Sequence, residues 1–364
     1  MEKDKVYRAI GLMSGTSLDG EIDVALIETD GRNFVRPLRY MAHPYDISVR
    51  DKVRACFGKI SRDAAVEEAE SLVTQLHIDA VKAFGEHADV IGFHGQTITH
   101  DPDNKFTWQI GDGQALAEAT GINVVADLRQ ADIKAGGQGA PLLPLYHQAL
   151  LSDHDKPVAV LNLGGVANIT YVGSQGDLIA FDCGPANAMM DDLMLTRTGK
   201  EFDEGGKVAA KGEVQHHLVK TFLSHPFFKK APPKSLDRNQ WSIDCVRYCE
   251  NEDAMATLLE MSVCAILNAL DYLPQKPTHI YAAGGGRKNK LFVDSIVQHL
   301  HIPVTSIDDI GWNGDATEAE GFAYLAVRSI LGESVTVPST TGAPKPMTGG
   351  VLYPARNTSE MIAE

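Results

Sequence analysis

Positive charge is scarce in this sequence. Against 48 Asp and Glu, the 364 residues include 33 Lys and Arg, giving a formal net charge of −15. That balance disfavours non-specific contact with nucleic acid or an anionic membrane surface, both of which present negative charge. Neither is expected as a partner. An anionic small molecule is still allowed, because it answers to a local site and not to the net charge. Cysteine is scarce too: Cys56, Cys183, Cys245, Cys249 and Cys264 make an odd number without the spacing of a disulfide framework. Cys245 and Cys249 stand at i and i+4, but no second Cys or His pair completes a zinc set. Free thiols are expected. Any apolar run near the ~20 residues of a spanning helix is missing. The opening MEKDKVYRAIGLM enters a strand-like run at once, without an apolar leader stretch. A cytoplasmic location is expected.

What is present suits a two-lobed enzyme, since a chain of this length outgrows one ordinary core. Three short apolar runs, 7–13, 22–28 and 34–40, are separated by turn residues and predict an antiparallel meander. Ala65, Ala69, Leu72, Val73, Leu76, Ala80 and Phe84 recur at helical spacing, predicting a helix over 61–84 with Ser61 as N-cap and Gly85 as stop. A strand over 90–93, a hairpin around 108–110, a helix over 114–119 and a strand over 123–126 follow. A similar order returns after Gly136, with strands at 158–163, 169–172, 178–181, 279–283 and 304–307 and a long helix at 316–330. The duplicated βββαβαβ order predicts two related α/β lobes with mixed sheets flanked by helices. Their expected extents are 1–133 plus 335–364, and 134–334. The glycine-rich 134–139 (KAGGQG) is the expected hinge between them. The Thr-, Gly- and Pro-rich tail after Val335 is expected to run back to the first lobe as extended surface chain.

Chemistry concentrates in a few segments. Residues 11–20 (GLMSGTSLDG) lie between two strands; they are either a polar hairpin or a turn whose amides converge on an anion. No Lys follows the glycines, so the turn is not a Walker A loop. Asp19 in this turn suits a hydrated Mg²⁺ near phosphates. Residues 162–168 (NLGGVAN), with Gly164, Gly165 and Asn168, repeat the idea in the second half. Residues 281–290 (YAAGGGRKNK), with Gly284, Gly285 and Gly286, run from a strand into a helix whose N-terminus favours a phosphate. Asp182, in 181–191 (FDCGPANAMMD), ends a strand; it can serve as a general base or as a cap for the next helix. Arg129 has the fork geometry for a carboxylate or phosphate. His94 and His100 lack the spacing of a helical metal pair, which favours substrate hydrogen bonding over ligation, with a structural role equally open for His100.

Together these segments resemble anhydro-N-acetylmuramic acid kinase, a family of the sugar kinase and actin superfamily. The residues carrying the resemblance are GLMSGTSLDG from Gly11, HGQTITHDP from His94, GGQGAPLLPLYH from Gly136, NLGGVANIT from Asn162, FDCGPANAMMD from Phe181, AAGGGRKN from Ala282 and EAEGFAYLA from Glu318. The resemblance implies two actin-like (ribonuclease H-like) lobes with the active site in the cleft between them. It implies an ATP-dependent kinase of peptidoglycan recycling and amino-sugar catabolism, with ATP, Mg²⁺, 1,6-anhydro-N-acetylmuramic acid and water as partners, and a homodimer. ATP would phosphorylate O6 of the sugar while water opens the anhydro bridge at C1, giving N-acetylmuramic acid 6-phosphate and ADP. Gly15, Thr16, Ser17, Leu18, Asp19, Gly20 and Asp23 would then bind the phosphates. Asp182 would activate the water, while Arg129 and Glu318 hold the sugar with His94, Gln96 and Thr97. Three departures stand out. Asp-Cys-Gly-Pro-Ala-Asn replaces the family's Asp-Thr-Gly-Pro-Gly-Asn, removing a hydroxyl donor at Cys183 and backbone freedom at Ala186. One extra residue separates Gly20 from Asp23. Asp-Leu-Arg stands for Asp-Phe-Arg and leaves Arg129 in place. Another sugar or carboxylate kinase of the superfamily is the alternative. A metal-dependent carbamoyltransferase would want a His-x-x-x-His pair, and a repressor would want an N-terminal helix-turn-helix; the sequence has neither.

Overall fold

The computed structural model describes residues 5–15, 18, 20–236 and 241–355. The first strands follow from alternating apolar runs closed by turns: β1 (Tyr7–Met13), β2 (Glu21–Thr29) and β3 (Val35–Pro44) pair antiparallel as a meander. Two helices follow, α1 (Ile47–Arg54) and α2 (Ala64–Phe84). The cap of α2 is Asp63 and not Ser61: its carboxylate accepts the Val66 N–H, and Gly85 closes the other end at φ 69°. Val66, Ala69, Val73, Ala80, Val81 and Phe84 form the buried stripe of α2. The chain continues through β4 (Val90–Phe93), the hairpin β5 (Gln96–Asp101) and β6 (Phe106–Ile110), α3 (Gly113–Thr120) and β7 (Val124–Ala126). Short helices α4 (Gln130–Ala135) and α5 (Pro144–Leu150) follow.

The second half repeats the plan. Strands β8 (Val158–Leu163), β9 (Val166–Val172) and β10 (Leu178–Pro185) form another antiparallel meander. Helices α6 (Asn187–Thr198), α7 (His216–Leu223) and α8 (Asn251–Leu270) lead to β11 (His279–Ala283), α9 (Lys290–Leu300) and β12 (Val304–Ser306). Last come α10 (Thr317–Ile330) and β13 (Val351–Tyr353). The larger sheet has the order β13-β7-β4-β1-β2-β3 and the second β10-β9-β8-β11-β12. In both, the first strand of a meander sits centrally and takes parallel partners on its free side. The shared order shows a duplication that residue identity conceals.

By packing, the chain divides into Met1–Asp153 with Asp315–Glu364, and His154–Gly314. The sequence places seams at 134 and 335; the difference has a physical cause. Helix α10 belongs to the first unit because β1 and β4 carry glycines where it crosses. Gly11 and Gly92 are partners in the β1–β4 register. A Cβ at Gly11 would fall 1.7 Å from the Ala319 carbonyl oxygen, and one at Gly92 2.0 Å from that of Phe322. Only bare backbone admits the helix. Residues 134–139 are correspondingly no seam, since they lie inside the first unit. The tail returns as expected to reach β13, antiparallel to β7, but Thr336, Thr340 and Thr341 on the way are buried.

Each unit has its own core. In the first, Ile10, Leu12, Val24, Ile91 and Phe93 of the sheet meet Val81 and Phe84 of α2. In the second, Leu161, Ile169, Phe181 and Ile280 meet Met190 of α6 and Leu258 and Ile266 of α8. Among the described residues α8 is long and apolar enough to cross a membrane, with 72% of that stretch buried here as core.

Candidate active site

In the first unit the site residues gather beyond the ends of β4 and β7. His94 follows β4 directly and is 6% exposed. Its Nδ1 lies 2.7 Å from the Gly95 carbonyl, and its Nε2 accepts the Arg129 Nε–H at 3.0 Å. Both bonds are satisfied only by the neutral ring with its proton on Nδ1. Burial and then the neighbouring guanidinium hold its pKa well below the usual histidine value. Arg129 also donates from Nη1 to the Gly139 carbonyl at 2.7 Å. Burial lowers its pKa to about 10, against the pull of Glu318 and Asp132. Among the described residues no acceptor meets Nη2, so one edge of a fixed cationic fork is left for a ligand. Glu318 is exposed on the first turn of α10, within electrostatic reach of Arg129. Gln96 is buried and donates weakly to the Gly15 carbonyl at 3.4 Å, while Thr97 accepts from Gln109 at 3.1 Å. The structure thus brings His94, Arg129 and Glu318 together and sets Gln96 against the 11–20 turn.

Within that turn, Thr16, Ser17 and Asp19 lie outside the described residues. Leu18 is buried with φ 51°, its N–H bonded to the Gly15 carbonyl, and Gly20 takes φ 94°. Asp23 lies on β2 opposite Met13 and accepts the Tyr40 hydroxyl at 2.6 Å, so one of its oxygens serves the sheet. His100 bonds Thr107 at 3.0 Å, a structural use.

Sequence reading missed two anchors here. Asp132 is 1% exposed and accepts the Gly139 N–H (2.7 Å) and the hydroxyls of Thr336 (2.5 Å) and Thr341 (2.6 Å). It therefore fixes the Gly139 carbonyl that holds Arg129. Glu320, on the buried face of α10, accepts the Tyr146 hydroxyl at 2.5 Å, and burial raises its pKa to about 7. Neither had a local signal, because the partners stand far away in the chain.

In the second unit, Asp182 pairs with Asn168 across β10 and β9, where the register then shifts. Its Oδ2 accepts the Leu236 N–H at 2.7 Å, and its own N–H donates to the Lys234 carbonyl at 3.0 Å. Burial raises its pKa to about 7, while the Leu236 amide and the Lys234 charge pull the other way. It does not cap α6: that helix begins without a side-chain cap bond. Lys234, another residue the sequence did not signal, is 2% exposed, with its ammonium 4.7 Å from the Phe227 ring centre and 4.6 Å from that of Tyr272.

Gly164 and Gly165 turn between β8 and β9. Their carbonyls accept the N–H groups of Ala186, Asn187 and Ala188, and the Asn187 side chain donates to Leu163 and Gly164. The two departures in this motif are absorbed. Ala186 is accommodated at φ −128°, ψ −108°, and Cys183 is core, its thiol pushed up by burial. The 284–286 turn lies against the same place: a Cβ on Gly284 would sit 2.3 Å from Asn162 Oδ1, and one on Gly286 2.7 Å from the Leu163 Cβ. Gly284 also needs its freedom at φ 74°. Two of the three predicted phosphate grips are therefore neighbours within one unit, with Gly285 open between them.

The buried histidines carry a pH consequence. His77 and His147, both pushed down to about 4 by burial, join His94 as neutral rings of the first unit. Between about pH 6.5 and 4 the unfolded chain binds protons that these native rings refuse, so stability must fall as pH falls. Asp182, with a raised pKa, acts oppositely in the second unit. Calorimetry across that window should show the first unit losing stability more steeply than the second. Equal losses would contradict the assignment.

The family model for anhydro-N-acetylmuramic acid kinase matches residues 7–355. Relatives described as anhydro-N-acetylmuramic acid kinase are similar over nearly their full lengths. One from Zymomonas mobilis is 50% identical, covering 95% of this chain and 99% of the relative. One from Rhizorhabdus wittichii is 49% identical, covering 95% and 98%. One from Paramagnetospirillum magneticum is 45% identical, covering 94% and 98%. With the family's pattern running from β1 to β13, this chain belongs to the anhydro-N-acetylmuramic acid kinase family.

Proposed function

We propose that the protein transfers the γ-phosphoryl group of ATP to O6 of 1,6-anhydro-N-acetylmuramic acid while water opens the anhydro bridge. In this reading water attacks C1 and gives its proton to Asp182. The C1–O6 bond breaks with its electron pair on O6, which takes the phosphoryl group, and ADP leaves. The products are N-acetylmuramic acid 6-phosphate and ADP, a step of peptidoglycan recycling and amino-sugar catabolism in the cytoplasm. The observation that supports it most directly is Asp182 itself. Its Oδ2 is anchored by the Leu236 amide and its pKa stands at about 7, near the optimum for taking a proton at neutral pH. Arg129 would offer its unused nitrogen to the lactyl carboxylate of the sugar, with His94 fixing the fork and Glu318, Gln96 and Thr97 binding hydroxyl and amide groups. Gly15, Thr16, Ser17, Leu18, Asp19, Gly20 and Asp23 would hold the phosphates from one unit. Gly164, Gly165, Asn168, Gly284, Gly285 and Gly286 of the second unit would also bind the nucleotide.

Among the described residues no group of His, Cys, Asp or Glu gathers to hold a metal alone. A Mg²⁺ that arrives on the triphosphate needs one protein carboxylate, for which Asp19, outside the described residues, is proposed. When bound, the ion neutralises charge on the phosphoryl oxygens. A homodimer is proposed on the family resemblance.

The test is turnover in isotope-labelled water. Purified protein with Mg-ATP and the anhydro sugar should yield ADP and a sugar phosphate labelled at the C1 hydroxyl. No sugar phosphate, with a simple hexose turned over instead, would assign another sugar kinase. Label elsewhere would reject the coupled opening.

A further inference from the structure

The 284–286 turn is held by an ion pair, Arg287 with Asp308. Arg287 follows the turn directly, and its side chain is 3% exposed. Its Nε donates to Asp308 Oδ2 at 2.7 Å and its Nη2 to Oδ1 at 3.2 Å, a two-point fork on one carboxylate. The third nitrogen, Nη1, donates back to the Gly284 carbonyl at 3.0 Å. Asp308 is itself fixed, accepting the Gly314 N–H at 2.9 Å and the Ser306 hydroxyl at 3.2 Å. Burial pushes the Asp308 carboxyl up, but the Arg287 and Gly314 donors outweigh it and hold it below the ordinary range. Gly314 closes the arrangement, since a Cβ there would fall 2.3 Å from Arg287 Nε. It is also the last residue of the second unit before the chain returns to the first at Asp315.

We propose that Arg287 and Asp308 are positioning residues for the nucleotide: they lock the Gly284 carbonyl, and so the 284–286 turn, and tie that turn to the segment on which the chain leaves the second unit. This rests on reading 284–286 as a nucleotide grip. The geometry favours a positioning role over a merely structural one. Each of the three Arg287 nitrogens donates to the turn or to the aspartate that braces it. The rest of the turn's support is backbone and packing: the Arg287 N–H bonds the Gly284 carbonyl at 3.2 Å, the Asn289 N–H bonds the Gly286 carbonyl at 3.0 Å, and Gly284 and Gly286 lie close against Asn162 and Leu163.

The experiment compares Arg287→Lys, Asp308→Asn and Gly314→Ala with the parent protein. Lys cannot form the fork, Asn removes the charge while keeping the shape, and the Ala methyl displaces the guanidinium. Each should raise the KM for ATP about tenfold. The KM for the sugar should move less than about threefold, and the nucleotide-induced rise in melting temperature should shrink. A nucleotide KM within about twofold of the parent in all three variants overturns the proposal. So does an equal rise in the KM for sugar, which marks general loosening. Hydrogen exchange on the parent separates the two layers of the reading. Amide protection at 284–287 on adding a non-hydrolysable ATP analogue supports the nucleotide grip. Absence of that protection overturns grip and positioning together. Protection without an effect of the variants overturns positioning alone.

Discussion

Asp182→Asn should lower kcat by roughly 10²–10⁴-fold, the usual contribution of a positioned general base. The amide keeps the shape, and its oxygen can still accept the Leu236 N–H. It cannot take a proton from water, and that is the function assigned to the carboxylate. Nucleotide binding should survive, because the glycine turns at 164–165 and 284–286 have their own supports. The parent's kcat/KM should fall on the acid side with a midpoint near the raised value of about 7, since only the carboxylate form is active. The sign for stability is opposite. A carboxyl raised by burial is cheapest when protonated, so native stability falls as pH rises through about 7. The neutral amide avoids that cost, and above this pH the variant should be at least as stable as the parent. Activity within tenfold of the parent, or an unshifted acid limb in the variant, would remove Asp182 as the base.

The place of that residue at a strand end was legible from local sequence, and the contrast with what was not legible is physical. Meander strands such as β1 and β4 declare themselves by apolar runs and turn residues, and α2 by its 3.6-residue stripe. Asp182 stands at a strand end before Gly-Pro, where ligands to such sheets collect. The seams between units were not legible, because they depend on where α10 packs. That is decided by two glycines, Gly11 and Gly92, whose role shows only once β1 and β4 lie side by side. Gly11, which opens the 11–20 turn in the sequence, is a packing residue in the fold. The buried supports were hidden for a related reason. Asp132 finds its hydroxyl partners about two hundred residues on, at Thr336 and Thr341, and Tyr146 finds Glu320. Such pairs leave no periodicity and no spacing rule. The 134–139 glycines suggest a hinge by composition; in the fold the Gly139 N–H is tied to Asp132, which also holds the Thr336 and Thr341 hydroxyls.

Asp132→Ala should be the most destabilising polar substitution in the first unit, costing about 3–5 kcal/mol. Three donors converge on a carboxylate that is 1% exposed: an amide at 2.7 Å and hydroxyls at 2.5 and 2.6 Å. Hydrogen bonds to a buried charge are worth roughly 1.5–3 kcal/mol each, and removing the acceptor leaves their donors unsatisfied. Part of that loss returns where the hydroxyls reach water, which is why the total falls below the sum. Asp132→Asn should cost less, since its amide oxygen can still accept, though its amino group must face either the Gly139 N–H, which cannot accept, or the two hydroxyls, which must turn from donating to accepting. Calorimetry should therefore rank the parent above Asn and Asn above Ala, with the unit His154–Gly314 unaffected. The same variants should weaken sugar binding without touching nucleotide binding. Gly139 N–H is held by Asp132 while the Gly139 carbonyl holds Arg129, so a relaxed loop releases the guanidinium from its place beside His94. The KM for the sugar should rise about tenfold or more in Asp132→Asn, at a temperature where the variant is fully folded. An Asn variant that melts lower yet keeps the parent's KM would separate the loop's stability from the placement of Arg129, and would show that His94 alone suffices to aim the fork.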